Sequence, residues 1–171
     1  NLTFGPMIIN SIRNISDCHL ETHLMIDQPY ESLDQYIDAG SNTIIIHLEA
    51  CTNPMRELEY IRKNNVLAGI AINPNTNENL LLPFLDYLDY ILIMSVFPGK
   101  GGQAFISQTL NKMNNIIAFR KKRNIIIGVD GGVNLNTIAK VYSTNIDIAI
   151  VGSGLFNAPN IGQRYQDLMN A

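Results

Sequence analysis

Ile125-Ile126-Ile127-Gly128-Val129-Asp130-Gly131-Gly132-Val133-Asn134 is the stretch on which the reading of the fold turns. A run of β-branched residues ends in one acid and two glycines, and a helical pattern opens at Leu135. Near-continuous Ile and Val is how a strand buried on both faces reads, and such strands belong to parallel sheets. An acid at the C-terminal end, followed by glycines free to take positive φ, delivers a carboxylate to a ligand and turns tightly over it. Asp130 is therefore read as the centre of a site.

The same cycle recurs on either side. Strands are predicted over Cys18–Ile26, Thr43–Glu49, Leu67–Asn73, Tyr90–Val96, Ile125–Asp130 and Ile148–Gly152. Helical patterns are predicted over Met7–Arg13, Pro29 to about Ala39, Pro54 to about Asn64, Asn77–Leu88 despite Pro83, Gln108–Lys122 and Leu135–Ser143. A turn at Gly154-Leu155 and a last helix ending near Met169 follow. Strand ends return roughly every 20 to 35 residues, about one βα unit each. No linker or low-complexity segment divides them, so 1–171 reads as one domain.

Six βα units leave two architectures. An open doubly wound sheet gathers its ligand at one crevice, where strand order reverses. A (β/α)8 barrel spreads chemistry over the C-terminal ends of many strands. His23, His47 with Glu49, Asn73, Ser95, Asp130 and Gly152-Ser153 stand at or near the ends of six different strands. That ring favours a (β/α)8 TIM barrel of the phosphate-binding type, here without its first two strands.

Composition excludes several function classes. A net charge of −3 gives no electrostatic footing for nucleic acid or an anionic membrane. No apolar stretch is long enough to cross a bilayer, and the first residues carry no basic-then-apolar signal pattern. Cys18 and Cys51 form no CxxC and are expected to be free, buried thiols of a cytoplasmic protein.

Alternation along the first strand puts His19, Glu21, His23 and Met25 on one face. A lone strand histidine is more often a hydrogen-bonded core residue than a ligand. A carboxylate aimed at the same barrel mouth changes that balance, because imidazole with carboxylate suits Zn²⁺ or a similar divalent ion. His23 and Asp130 would supply two ligands where a stable site needs three or four. His47 and Glu49 are expected to line the barrel, hydrogen-bonded within it, and His19 to be structural or exposed.

Glycines cluster in three successive βα loops: Pro98-Gly99-Lys100-Gly101-Gly102-Gln103, Gly131-Gly132 and Gly152-Ser153-Gly154. Such loops bare backbone N–H groups to an anion, and in barrels the last two are a frequent phosphate site. No Gly-Lys-Ser/Thr occurs, so none is a Walker loop. A phosphorylated small molecule is the expected substrate.

Asn1-Leu2-Thr3-Phe4-Gly5-Pro6, His23-Leu24-Met25, His47-Leu48-Glu49-Ala50, Met94-Ser95-Val96, Pro98 to Gln103, Val129-Asp130-Gly131-Gly132 and Gly152-Ser153-Gly154-Leu155-Phe156 occur in the order and spacing of the ribulose-phosphate 3-epimerase family, which the chain resembles over essentially its whole length. The resemblance implies an isomerase of the pentose phosphate pathway. Such an enzyme interconverts D-ribulose 5-phosphate and D-xylulose 5-phosphate through an enediolate, with one divalent metal ion: zinc first, with iron, manganese or cobalt as alternatives. It also implies a homo-oligomer. Carried over by motif, His23 and Asp130 resemble metal ligands, with Asp130 also the proton-donating acid. His23, Gly99, Lys100, Gly101, Gly102, Asp130, Gly131, Gly132, Gly152 and Ser153 resemble substrate contacts, and Met25 and Met94 an apolar wall.

Departures from the family pattern are Phe97 and Lys100 in the glycine loop and Glu21 where an aspartate is more usual. Lys100 is expected to be solvated. In full-length members two strands precede Asn1-Leu2-Thr3, carrying a substrate serine, a metal histidine and the opposite-face aspartate base. The 171-residue chain alone is therefore expected to be inactive. The alternatives are allulose-6-phosphate 3-epimerase and a non-catalytic sugar-phosphate-binding remnant.

Overall fold

The computed structural model describes residues 4–120 and 123–171. The opening Asn1-Leu2-Thr3 and the predicted helix end at Lys121-Lys122 lie outside the described residues. Six parallel strands, β1 (Glu21–Leu24), β2 (Thr43–His47), β3 (Leu67–Ile72), β4 (Tyr90–Met94), β5 (Ile126–Asp130) and β6 (Ile148–Ile150), pair strictly in chain order. Among the described residues the order never reverses, so they contain no switch point of a doubly wound sheet. The result is a half-barrel with β1 and β6 at its edges.

Alternation divides each strand between two faces. Ile44, Ile46, Ile70, Ile72, Ile91, Ile93, Ile127 and Val129 point outward and are fully buried under the helices. The covering helices are α1 (Pro6–Arg13), α2 (Leu33–Asp38), α3 (Pro54–Lys63), α4 (Thr109–Arg120), α5 (Ile138–Tyr142), α6 (Ser153–Phe156) and α7 (Ile161–Met169). A smaller inner cluster holds Ile45, Ala71, Tyr90, Leu92, Met94 and Val96. Gly128 makes that cluster fit, since a Cβ there would stand 2.2 Å from the Tyr90 hydroxyl.

One device recurs at the strand beginnings. The residue just before β2, β4 or β6 turns its side-chain oxygen onto a backbone N–H of the strand or lead-in beside it. Asn42 accepts from Leu20 at 2.8 Å, Asp89 from Ala68 at 2.9 Å and Asp147 from Ile127 at 2.8 Å. An arginine from the last turn of an earlier helix then meets each of them: Arg13 on Asn42, Arg62 on Asp89 and Arg120 on Asp147. These ties fix the end of the sheet away from the predicted site.

Several predicted boundaries move, each for a hydrogen-bonding reason. β1 begins at Glu21 rather than Cys18, because Arg13 takes the Ser16 and Cys18 carbonyls and Asn42 takes the Leu20 N–H, so the lead-in is held by side chains. Cys18 is consequently exposed, not buried, and both cysteines are free. The predicted helix over Asn77–Leu88 is a 3-10 segment, Glu78–Phe84, containing Pro83, which lacks the N–H a helix would use. α5 starts at Ile138 rather than Leu135, because Asn134 and Thr137 bond each other and Asn134 also takes the Asn136 N–H in a capping turn. Ser32 ends a 3-10 turn from Pro29 before α2 begins.

Candidate active site

The C-terminal ends of the strands surround a cleft of about 450 Å³ lined by Met25, Asp27, His47, Glu49, Asn73 and Pro98, among others. Beside it, next to His47, His23 near the end of β1 and Asp130 at the end of β5 face each other. Nδ1 of His23 stands 3.9 Å from Oδ2 of Asp130, both largely shielded from solvent. The ends of β1 and β5 thus bring together two side chains far apart in the chain. His47 joins them from β2: its Nε2 lies 2.8 Å from Nε2 of His23, and the rings stack with centroids 4.9 Å apart.

Behind His47 stands Glu49. Its Oε2 takes His47 Nδ1 at 3.4 Å, while Oε1 accepts from the Asn73 backbone N–H at 2.8 Å and from the Thr76 hydroxyl. The turn carrying Asn73 and Thr76 is itself held by Lys112 of α4. That buried ammonium donates to the Asn73 carbonyl at 2.8 Å and the Pro74 carbonyl at 2.9 Å. His47 and Glu49 are hydrogen-bonded lining residues, as expected. Lys112 was not legible, because a lysine in the middle of a helix gives no sign that it points inward.

Electrostatics follow from burial. Desolvation, with the neighbouring His47, pulls the His23 pKa down to about 3, so His23 is a neutral imidazole. Burial pushes the Asp130 carboxyl above its ordinary value, against the Gly131 N–H and His47, which favour the charge. Burial also works to raise Glu49, but its bonds from His47, Asn73 and Thr76 prevail and hold it at about 2. Glu21 lies on the inner face; burial raises its pKa, and the Tyr90 hydroxyl beside it has no partner in hydrogen-bond geometry.

The three glycine clusters are brought together in series. A Cβ on Gly132 (φ +66°) would lie 2.5 Å from the Phe105 nitrogen, and one on Gly131 (φ +115°) 2.4 Å from Val96. Gly154 is pressed in turn against the Val133 carbonyl. Hence the loop after β4 rests on the turn after β5, which rests on the turn after β6. Gly99, Lys100, Gly101 and Gly102 lie at the rim, and Gln103 braces that loop by donating to the Phe97 and Lys100 carbonyls. Gly152 and Ser153 are exposed, and a Cβ at Gly152 would meet open space. Ser95 pins the end of β5, its hydroxyl donating to the Asp130 and Gly131 carbonyls. Met25 is half exposed in the cleft, while Met94, paired in register with Asp130, is buried beneath it.

The donor set fits a divalent ion at two positions. His23 Nδ1 and Asp130 Oδ2 are 3.9 Å apart, within the span that two bonds of about 2.0–2.2 Å can bridge. Among the described residues no group of three histidine, cysteine, aspartate or glutamate side chains converges on one point. No helix of the described residues is long and apolar enough to cross a membrane.

Comparison with known proteins gives the family and the fold. The family model described as "Ribulose-phosphate 3 epimerase family" matches residues 1–156. A ribulose-phosphate 3-epimerase of Bacillus subtilis (strain 168) is 35% identical over 159 residues, covering 91% of this chain and 73% of that protein. One of Buchnera aphidicola subsp. Acyrthosiphon pisum (strain APS) is 39% identical over 163 residues, 94% of this chain and 72% of its own. Among solved structures, KGPDC from Streptococcus mutans superposes with a TM-score of 0.70 at 13% identity, over 95% of this chain and 76% of that one. At that identity the likeness is one of fold.

Proposed function

The chain belongs to the ribulose-phosphate 3-epimerase family, and from that premise we propose that it interconverts D-ribulose 5-phosphate and D-xylulose 5-phosphate in the pentose phosphate pathway of the cytoplasm. The observation that carries the proposal is the approach of His23 to Asp130 at the strand ends, beside three stacked glycine turns. Inverting a carbon next to a ketone takes a proton from one face and returns one to the other, so it needs acid/base groups and a positive centre for the developing oxyanion. A divalent ion supplies that positive centre when bound; zinc is the first candidate, with iron, manganese or cobalt behind it.

The chain's own residues take the other tasks. His23 and Asp130 hold the ion, His23 also meeting the substrate. Asp130 gives a proton to one face of the carbon, and the proton leaving the other face goes to the aspartate base that full-length members of the family carry on the strands preceding the Asn1-Leu2-Thr3 motif. Backbone N–H groups of Gly131, Gly132, Gly152 and Ser153 receive the phosphate. The loop of Gly99, Lys100, Gly101 and Gly102 covers the sugar and excludes water. Met25, which lines the cleft, and Met94, buried in the inner cluster, form the apolar wall. The assembled enzyme is proposed to be a homo-oligomer.

The test is turnover of ribulose 5-phosphate and, separately, of allulose 6-phosphate. Pentose turnover that disappears in Asp130→Asn supports the reading, and a clear preference for the hexose phosphate reassigns the substrate. A second reading is a sugar-phosphate-binding protein without catalysis, for which the stacked glycine turns alone suffice. Phosphate-dependent binding without turnover on either sugar selects it.

A further inference from the structure

His23 and His47 share one hydrogen bond between two Nε2 atoms, which can contain only one proton. Which ring donates it is set from outside the pair. Glu49 is acceptor-only while ionised, and the Asn73 N–H and Thr76 hydroxyl, both donors, occupy its Oε1. Its Oε2 therefore takes a proton from His47 Nδ1. If His47 donated the shared proton, the proton of the His23 ring would sit on Nδ1 and bond Asp130 at about 2.9 Å; at 3.9 Å it does not, so His23 is the donor. The one proton of the neutral His23 ring is then on Nε2, which leaves Nδ1 bare toward Asp130.

We infer that Glu49 is a positioning residue: through His47 it holds His23 in the Nε2–H tautomer, so that the Nδ1 lone pair faces Asp130, ready for a divalent ion. The relay is anchored deep in the fold, because the turn that orients Glu49 is clasped by Lys112 from the opposite side. A ligand histidine whose second nitrogen is fixed in this way keeps its orientation and basicity. The inference rests on the reading of His23 and Asp130 as metal ligands. It assigns a role to Glu49, which touches neither of them.

Imidazole 15N chemical shifts of the metal-free protein at neutral pH provide the test. The expected wild-type spectrum has His23 protonated at Nε2 and His47 at Nδ1. In Glu49→Gln the amide oxygen stays with Asn73 and Thr76, so its amide nitrogen turns to His47 Nδ1. Both tautomers then invert, and Co²⁺ affinity, followed by visible absorption, falls about 10- to 100-fold. A wild-type His23 protonated at Nδ1, or tautomers unchanged in Glu49→Gln, overturns the inference. If the variant does not fold, the wild-type spectrum alone decides. Tautomers are read without metal or substrate, so a protein lacking epimerase turnover but showing the expected spectrum refutes only the functional reading.

Discussion

At the residue scale, neutral His23 and ionised Glu49 make the site sensitive to acid in two overlapping windows. The fold keeps His23 unprotonated down to about pH 3, whereas an unfolded histidine takes its proton near 6.5. The unfolded chain binds more protons between those values, so stability falls as pH drops through them. Glu49 is depressed to about 2 from an ordinary 4.5, so its contribution is present above 4.5 and is lost as pH falls toward 2. Denaturant titrations across pH are expected to show both slopes, with His23→Asn flattening the upper one and Glu49→Gln the lower. Asp130 behaves oppositely, because its burial disfavours the charge present at pH 7. Asp130→Asn is expected to raise the melting temperature of the metal-free protein while cutting epimerase turnover by about 10²- to 10⁴-fold. A lower melting temperature would show that the charge is better accommodated than its burial implies.

At the scale of elements, the glycine turns differ in kind, although in sequence they look alike. Gly132 is wedged at positive φ against the backbone of Phe105, so Gly132→Ala must displace main chain and is expected to cost about 1–3 kcal/mol. Gly101 meets nothing within 4 Å and has an ordinary φ, so Gly101→Ala is expected to change stability by less than about 0.5 kcal/mol. Chemical denaturation of the two variants checks the contrast. At the opposite end of the sheet, Asp147 joins β6 to the N–H of Ile127 and to Arg120. Asp147→Ala leaves a part-buried donor unmet and is expected to cost about 1–3 kcal/mol, with Asp147→Asn recovering part of that loss. The recurrence at Asn42, Asp89 and Asp147 ties the start of each even-numbered strand to the odd-numbered strand before it, so a side chain as well as the ladder fixes the register.

At the scale of the whole molecule, β1 and β6 each pair with a single strand among the described residues, so within them one row of backbone N–H and C=O groups is unpaired at either edge. Open parallel edges next to exposed apolar side chains such as Ile148 promote association. Sedimentation of the 171-residue chain is expected to depend on concentration, and Ile148→Lys to shift it toward the monomer. A monodisperse monomer at all concentrations would mean that these edges are protected. The six-unit order of the half-barrel was legible because outward-facing Ile and Val repeat with each unit, and local hydrophobicity alone marks them. The ends of β1, of the 77–88 segment and of α5 were not, because distant or competing side-chain partners set two of them: Arg13 and Asn42 for β1, and the Asn134–Thr137 turn for α5. In the 77–88 segment, Pro83 removes the N–H that a full helix needs.

Local chemistry along the sequence determined the alternation of strand and helix, the acid that closes β5, and the glycine turns, whose motifs also carried the family resemblance. It placed His23 and Asp130 at strand ends because a parallel strand sends its C-terminus to one rim. Only the tertiary structure decided that His47 bridges His23 to Glu49, and that Lys112 holds the turn from which Glu49 is fixed. Most of those contacts join residues far apart in the chain, and a hydrogen bond between them depends on curvature and register that no local pattern encodes.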